Sequence, residues 1–124
     1  MGSNIKSLPQ SELEIIKALW AVGEPVSAAE LNAFMKKSWR VQTLITHLSR
    51  MVVKGAVICE RREVTRGARY FYIPAIDKNT YIEQETDLFI SRIHDDDIKS
   101  LMDSLAKTGK ISKKDAEYLA SLCK

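Results

Sequence analysis

The spacing of the apolar residues changes at Ala56, and this change limits the fold more than any other feature of the chain. Before Ala56, apolar residues recur every three or four positions, as on the buried face of an α-helix. After it, the segments AVICERREV and RYFYIP are rich in β-branched and aromatic residues, and Gly67 lies at the reversal between them. The chain therefore predicts consecutive helices followed by a β-hairpin whose second strand ends at Pro74.

Two capping boxes mark the beginnings of the first two predicted helices. In such a box, a serine and a glutamate three residues later bond each other's backbone amides. The first box is SELE, residues 11–14, and its helix stops before residues 23–25. The second is SAAE, residues 27–30, and its helix runs to about Lys37.

A third helix is predicted over residues 39–54, with Ser38 as its N-cap and Gly55 at its C′ position. One of its faces is apolar and consists of Val41, Leu44, Ile45, Leu48, Met51 and Val52. The opposite face is polar and consists of Gln42, Thr43, Thr46, His47 and Arg50. The polar face contains no carboxylate. We expect it to be exposed when the apolar face is buried.

A polar helix face of this kind is typical of a helix that reads DNA. Phosphates repel carboxylates, whereas Arg, Gln and Thr side chains bond or contact base edges in the major groove. Three helices and a hairpin in this order form a winged helix-turn-helix, whose third helix enters the groove. The predicted fold class is therefore mostly α with a small β-hairpin, and residues 1–76 are predicted to form a DNA-binding domain.

The distribution of charge supports this interpretation. Residues 36–69 contain nine Lys or Arg residues against two Glu residues, a net charge of +7, whereas the whole chain carries +3. Such a patch favours a polyanionic partner. The residues suited to phosphate near the start of the third helix are Lys36, Lys37, Ser38 and Arg40. The arginines around the hairpin tip, which acts as a wing, are Arg61, Arg62, Arg66 and Arg69.

Several of these residues have a second interpretation. His47 either contacts a base or is simply solvated. Trp39 either covers the edge of the core or contacts the sugar–phosphate backbone. Arg61 and Arg62 are adjacent in a strand, so only one of them points to a given face and the other is solvated. A winged helix that binds only protein is the main rival to a DNA-binding domain.

Residues 77–124 predict further amphipathic helices. The first contains Tyr81, Leu88, Phe89 and Ile93. Asp95 to Asp97 favour the N-terminus of a second helix, because carboxylates offset the positive end of the helix dipole. Its apolar residues are Ile98, Leu101, Met102 and Leu105, and a last helix after Ser112 contains Leu119 and Leu122. Forty-eight residues bury few such stripes alone, so we expect them to pack on the first domain or on a second copy.

Other function classes lack the residues they need. Cys59 and Cys123 belong to no CxxC or CxC motif, so we expect reduced cysteines rather than a zinc site or a disulfide. The chain has no GxSxG motif, no Gly-rich phosphate loop and no carboxylate–histidine cluster, so we expect neither an enzyme nor a cofactor. No apolar run reaches the length of a membrane span and no leader is recognisable, which predicts a cytoplasmic protein without membrane insertion.

At full length the chain resembles the penicillinase/methicillinase repressor family of bacterial transcription factors. Five segments carry the resemblance in the family's order: LPQSELEIIKALW, PVSAAEL, VQTLITHLSRMVVKGAV, GARYFYIPAIDKNTYI and SLMDSLAKTGKISKKDAEYL. It implies a homodimeric repressor of a palindromic operator, with the C-terminal helices, residues 77–124, exchanged between protomers. The residues predicted to form the dimer are Tyr81, Leu88, Phe89, Ile98, Leu101, Met102, Leu105, Leu119 and Leu122.

The resemblance also implies how DNA is read and how the repressor is released. The family's reading positions correspond to Trp39, Arg40, Gln42, Thr43 and His47. Trp39-Arg40 replaces a common Lys-Thr type of pair, so we expect a different operator. Members that control β-lactamase are inactivated when a membrane sensor-protease triggers cleavage in the fifth helix, usually at Asn-Phe. Ser104-Leu105 stands there in this chain, so either the protease tolerates this pair or the repressor answers another signal. Copper sensing is disfavoured because the paired CxC motifs of that branch are absent.

Overall fold

A computed structural model describes residues 7–124, so the first six residues of the predicted DNA-binding domain lie outside the described residues. The helices and strands of the described chain are α1 (Gln10–Val22), α2 (Ala28–Met35), α3 (Val41–Val53), β1 (Val57–Val64), β2 (Gly67–Pro74), α4 (Lys78–His94), α5 (Ile98–Lys107) and α6 (Lys113–Leu122). The predicted fold class, mostly α with a small hairpin, is confirmed. The chain divides into two compact units between Glu83 and Gln84. The domain division at residue 77 stays a prediction.

The first unit has an apolar core to which α1, α2 and α3 all contribute. The largest side chains without exposed surface are Ile15, Ile16, Leu19, Leu31, Leu44, Leu48 and Met51. The last three lie on α3 at the spacing of one helix face. Full burial of such a side chain is worth about 1.5–3 kcal/mol. This packing therefore fixes the rotation of α3 and decides which of its faces meets solvent.

The hairpin is attached to the helices through the segment between α1 and α2. Its strands pair from Val57 opposite Pro74 to Val64 opposite Gly67. Val26 extends the sheet by a bridge to Tyr72, with Tyr72 N donating to Val26 O at 2.8 Å. The base of the hairpin is thereby fixed beside the entry to α2.

The beginning of α4 belongs to the first unit, which changes the role predicted for Tyr81. This side chain is only 4% exposed, and its hydroxyl accepts a 3.0 Å hydrogen bond from the amide of Leu8. Its ring lies 5.9 Å from that of Trp20, whose indole donates to the carbonyl of Ile76. Tyr81 was predicted to form the dimer, but it packs within its own protomer and offers almost no surface to a second copy.

The predicted start of the first helix is wrong, whereas that of the second is confirmed. α1 begins at Gln10 after Pro9, whose φ of −63° suits the N-cap position, and no side chain caps it. Ser11 therefore lies inside the first turn and forms no capping box. At α2, by contrast, Ser27 and Glu30 form the reciprocal box that the sequence predicted.

The predicted ends of the helix-turn-helix also need correction. α2 ends at Met35 rather than Lys37, because Lys36 turns into the left-handed region with φ 55°. α3 begins at Val41, with Arg40 rather than Ser38 as its N-cap. Trp39 and Arg40 consequently lie in the turn before α3, not in the helix. The turn is held by Asn32, whose side-chain amide donates to the carbonyl of Trp39 at 3.1 Å.

The second unit consists of the remainder of α4 together with α5 and α6. Asp97 caps α5 by accepting from Lys99 N, and Ser112 and Asp115 form a capping box at α6, so both predicted starts are confirmed. Neither α5 nor α6 contains a buried residue. The large exposed apolar residues of this unit are Leu88, Phe89, Ile93, Ile98, Met102, Tyr118, Leu119 and Leu122. The second unit thus leaves apolar helix faces uncovered in the single chain.

Candidate nucleic-acid interface

The polar face of α3 is exposed because the core holds the opposite face. Leu44, Leu48 and Met51 have no exposed surface. The exposed residues on the other side are Gln42, Thr43, Thr46, Ser49 and Arg50. The helix contains no acidic residue to oppose a phosphate. Its outer side therefore offers hydroxyl, amide and guanidinium groups to a partner, with the chemistry that base edges require.

One hydroxyl on this face is already used within the helix. Thr46 Oγ1 donates to the carbonyl of Gln42 at 3.1 Å, a bond from a side chain to the preceding turn. Its proton is therefore not available to an acceptor on DNA. Thr46 still offers its methyl group and the lone pairs of its oxygen, which suit a thymine methyl or a base amino group.

The rings of Trp39 and His47 pack against each other in a tilted arrangement at the junction of the turn and α3. Their ring centroids lie 5.3 Å apart, and Lys37 Nζ lies 5.7 Å from the centroid of Trp39. Both rings are partly exposed. In the described chain, His47 Nδ1 and Asn32 Oδ1 are buried without a hydrogen-bond partner. The imidazole is thus packed against an aromatic ring and is not a freely solvated side chain, while Trp39 covers the core edge and also reaches the surface.

The nine cations of residues 36–69 differ in whether a carboxylate already neutralises them. The ion pairs within the described chain are Lys37–Glu14, Lys54–Glu12, Arg61–Glu63 and Arg62–Glu60. The exposed cations outside these pairs are Lys36, Arg40, Arg50, Arg66 and Arg69. Five positive charges are therefore available to an anion. They lie in the turn, on α3 and on the hairpin.

Helix α1 holds the turn and the end of α3 through two carboxylates. Glu14 pairs with Lys37 in the turn, and this lysine, together with Gln10, holds the pKa of Glu14 below its usual range. Glu12 is 3% exposed and lies 2.6 Å from the ammonium of Lys54, the C-cap residue of α3. Sequence reasoning missed this role for both glutamates, because their SELE motif was interpreted as a capping box. Their partners lie 23 and 42 residues away in the chain, so no local spacing indicates them.

The hairpin separates its arginines onto two faces. Arg62 pairs directly with Arg69 across the strands, and their guanidinium carbons lie 4.7 and 5.4 Å from the centroid of Phe71. Arg61 lies on the other face, where it pairs with Glu63. Arg66 occupies the two-residue turn at the tip. The guanidinium groups of Arg62 and Arg69 thus both contact the ring of Phe71 on the outer face of the wing. The opposite face of the hairpin carries Tyr72, which is buried in the core.

Three further findings concern residues 7–124 outside the interface. No group of three His, Cys, Asp or Glu residues in this part of the chain is arranged to hold a metal ion. Cys59 and Cys123 are both free and exposed. None of the helices in the same range is long and apolar enough to cross a membrane.

Comparison with known proteins identifies the family to which the chain belongs. A search among curated proteins found no significant match. The family model described as "Penicillinase repressor" matches residues 8–124, a range that includes every helix and strand from α1 to α6. The match agrees with an exposed α3 face, an arginine-bearing wing and C-terminal helices. The chain therefore belongs to the penicillinase repressor family, a family of DNA-binding transcriptional repressors.

Proposed function

We propose that the protein is a homodimeric transcriptional repressor that inserts α3 of each protomer into the major groove of a palindromic operator. The observation that carries this proposal is the exposed, acid-free face of α3 beside cations that take part in no ion pair within residues 7–124. Phosphate contacts supply much of the affinity of such proteins, and base contacts supply the specificity. The interface has residues of both kinds.

Base reading is assigned to Gln42, Thr43, Thr46 and Arg50. Arg bonds guanine in a bidentate manner, Gln bonds adenine, and the methyl group of Thr contacts thymine. Trp39 and His47 pack against each other beside these residues. We therefore assign them a contact with DNA by shape, at the start of α3. Because neither resembles a Lys or an Arg in shape, we expect the operator to differ from those of family members that carry such residues.

Phosphate binding is assigned to the turn and the wing. Lys36 and Arg40 are exposed and take part in no ion pair among the described residues, and Arg40 directly precedes the first amides of α3. Ser38 adds a hydroxyl group. Lys37 is engaged with Glu14, so it contributes to the shape of the turn more than to phosphate binding. On the wing, Arg66 and Arg69 are assigned to backbone or minor groove, while Arg61 and Arg62 are paired with Glu63 and Glu60 and must exchange these partners to reach DNA.

The dimer is assigned to the uncovered helix faces of the second unit. Leu88, Phe89, Ile98, Met102, Leu119 and Leu122 are exposed in the single chain, and Leu101 and Leu105 are partly so. Two copies that exchange these helices would bury the faces that one copy leaves open. A two-fold dimer requires two half-sites, about one helical turn or a multiple of it apart.

The controlled genes are proposed to be those of a β-lactamase or of a related antibiotic resistance. Release is proposed to follow cleavage between Ser104 and Leu105 in α5, triggered by a membrane sensor-protease. Ser104 is exposed and Leu105 is partly buried, so the helix must open locally for a protease to reach the bond. Cleavage there would separate α6 from the rest of the dimerisation surface.

Salt dependence of binding to a selected duplex tests the proposal. Selection from random duplexes should yield a palindrome. Arg50 is assigned to a base, so the other four available cations in each protomer allow about eight phosphate contacts in a dimer. The logarithm of the binding constant should therefore fall with that of the salt concentration at a slope of up to about −7. If no duplex is enriched, or if binding is independent of salt, the chain is a protein-binding winged helix instead.

A further inference from the structure

The tip of the hairpin presents one long cationic side chain among small residues. The two residues Thr65 and Arg66 join β1 to β2, and Gly67 follows them with a φ of 93°. Arg66 is exposed and takes part in no ion pair among the described residues. A Cβ atom placed on Gly67 would meet no other atom within 4 Å, so the space beside the arginine is open. Within residues 64–68, only Arg66 has a long side chain.

The dimensions of this tip suit the minor groove of DNA better than the major groove. The minor groove is about 6 Å wide and about 7.5 Å deep. Two paired strands already lie about 4.8 Å apart before their side chains are added, so the hairpin itself stays at the rim of that groove. A single extended side chain is narrow enough to enter it. Because its neighbours are small, Arg66 can reach the floor of the groove before they meet the rim.

The hairpin is attached directly to α3, so the position of the helix limits the position of the tip. Three residues separate α3 from β1, and the amide of Ala56 donates to the carbonyl of Met51 at 2.9 Å. The amide of Ala75, just after β2, donates to the carbonyl of Ala56 at 2.8 Å. From Val57 to Val64 the strand covers about 23 Å. Neighbouring major and minor grooves lie half a helical turn apart, about 17 Å. With α3 in the major groove, the hairpin is therefore long enough for its tip to reach the next minor groove.

An arginine in the minor groove favours some base pairs over others. A·T tracts have a narrow minor groove whose enhanced negative potential attracts an inserted arginine. A G·C pair instead places the amino group of guanine in that groove. The guanidinium group is also more weakly hydrated than an ammonium group, so it loses less hydration when it enters a narrow groove than a lysine does. An arginine at the tip therefore supplies sequence preference, whereas a contact with phosphate alone supplies none.

We propose that Arg66 of each protomer enters the minor groove next to its half-site and makes the operator require A·T pairs there, outside the bases that α3 reads. This inference rests on the proposed function and assigns Arg66 a role in specificity. In the groove the guanidinium group lies between the phosphates of both strands, so it still contributes to the salt dependence of binding. The rival role for Arg66 is a phosphate contact, which strengthens binding to every sequence equally.

Base-pair replacement in the selected operator tests which groove is read. Selection with the full chain should show A·T pairs next to each half-site, and these pairs are then replaced by G·C or by inosine·C. Inosine is guanosine without the amino group, so inosine·C resembles A·T in the minor groove and G·C in the major groove. G·C should weaken binding about tenfold, as one mismatched pair does, and inosine·C should leave it nearly unchanged. Equal losses for the two replacements would mean readout from the major groove and would overturn the inference.

Variants of the tip test which residue carries the preference. Arg66→Ala should bind the A·T and G·C versions of the operator equally, and Arg66→Lys should retain the salt dependence but lose most of the tenfold preference. Lys17→Ala, which removes an exposed cation on α1, is the control and should keep the full preference. If Arg66→Ala weakens binding to both versions by the same factor, Arg66 binds only phosphate and the inference is overturned.

Selection itself separates this inference from the proposed function. An operator that shows no A·T preference next to its half-sites would overturn the role of Arg66 alone and leave the repressor assignment standing. Failure to select any operator would overturn the proposed function, and the role of Arg66 with it.

Discussion

The carboxylate of Glu12 lies 2.6 Å from the ammonium of Lys54, which joins the first turns of α1 to the C-terminal end of α3. The two partners are unequally accessible: the side chain of Glu12 is 4% exposed and that of Lys54 is 35% exposed. Removal of either charge breaks the pair, but the group left behind differs. A lysine that has lost its partner can reach water, whereas a buried carboxylate that has lost its partner cannot.

We therefore predict that Lys54→Met destabilises the protein more than Glu12→Gln does. The first variant leaves a buried charge and should cost about 3 kcal/mol. The second leaves a partly exposed lysine and should cost about 1 kcal/mol. Urea unfolding at one fixed protein concentration measures both, with Glu14→Gln as a control in the more exposed pair with Lys37. Equal losses for the two variants would contradict the difference in accessibility.

Replacement of reading residues should weaken operator binding without changing the dimer. We expect Thr43→Ala and Arg50→Ala each to cost about 1–3 kcal/mol of binding to the selected palindrome, because each removes a contact to a base edge. Lys17→Ala is the matched control, since Lys17 is an exposed cation on α1, away from α3. Affinity is measured by fluorescence anisotropy and the oligomeric state by sedimentation. If both variants bind as the wild type does, the reading face has been placed on the wrong residues.

Charged residues on the apolar face of α6 should convert the dimer to a monomer. The double variant Leu119→Glu/Leu122→Glu places two carboxylates on exposed apolar positions that we assign to the dimer. Sedimentation should give the mass of one chain, and operator affinity should fall steeply because only one half-site is bound at a time. Glu117→Gln on the same helix is the control. A double variant that still sediments as a dimer would refute the assignment.

Substitution is a cleaner test of the dimer than truncation. A chain ending at residue 76 would lose Tyr81, which is buried against Trp20 and accepts from the amide of Leu8. The resulting instability of the first unit would be mistaken for loss of dimerisation. Any truncation meant to isolate the first unit should therefore end after Glu83.

The capping box of α6 should make this helix sensitive to acid. Hydrogen bonds from the amide and hydroxyl of Ser112 hold the pKa of Asp115 below its ordinary value of 3.8. Because the pKa is lower in the folded state, the stabilisation is complete above 3.8 and is lost as the pH falls through the folded-state pKa. An NMR titration of the Asp115 carboxyl carbon in the wild type and in Ser112→Ala measures this. The midpoint in the variant should rise towards 3.8, and an unchanged midpoint would mean that the Ser112 hydroxyl does not lower the pKa of Asp115.

The sequence predicted local features well where the partners are close in the chain. The Ser27–Glu30 and Ser112–Asp115 boxes form because each serine directly precedes its helix. The SELE box fails because Pro9 already provides an N-cap conformation one residue before Gln10, which places Ser11 inside the helix. The spacing within the motif does not distinguish these cases, since the difference lies in Pro9, two residues before the SELE motif.

Features that depend on distant partners could not be predicted in the same way. Glu14 bonds Lys37, and the turn before α3 is set by Asn32 and the left-handed Lys36, so Ser38 does not cap the helix. The exposure of Gln42, Thr43, Thr46 and Arg50 was nevertheless predicted correctly, because the buried part of the apolar stripe fixes the rotation of α3 whatever its first residue. Val41 and Val52, at the two ends of the predicted stripe, are exposed instead. Such distant pairs neutralise Lys37 and Lys54, whereas Arg61 and Arg62 pair with glutamates two residues away in the same strand.

The facing pair of Arg62 and Arg69 has a consequence for the free protein. Like charges directly opposite each other in a hairpin destabilise it, and the ring of Phe71 together with the exposed ion pair of Arg62 with Glu60 offsets only part of that repulsion. A phosphate between the two guanidinium groups would cancel it. The strand hydrogen bonds near the hairpin tip should therefore open more often in the unbound chain than in the DNA complex. Amide hydrogen exchange in these strands should slow when the operator binds.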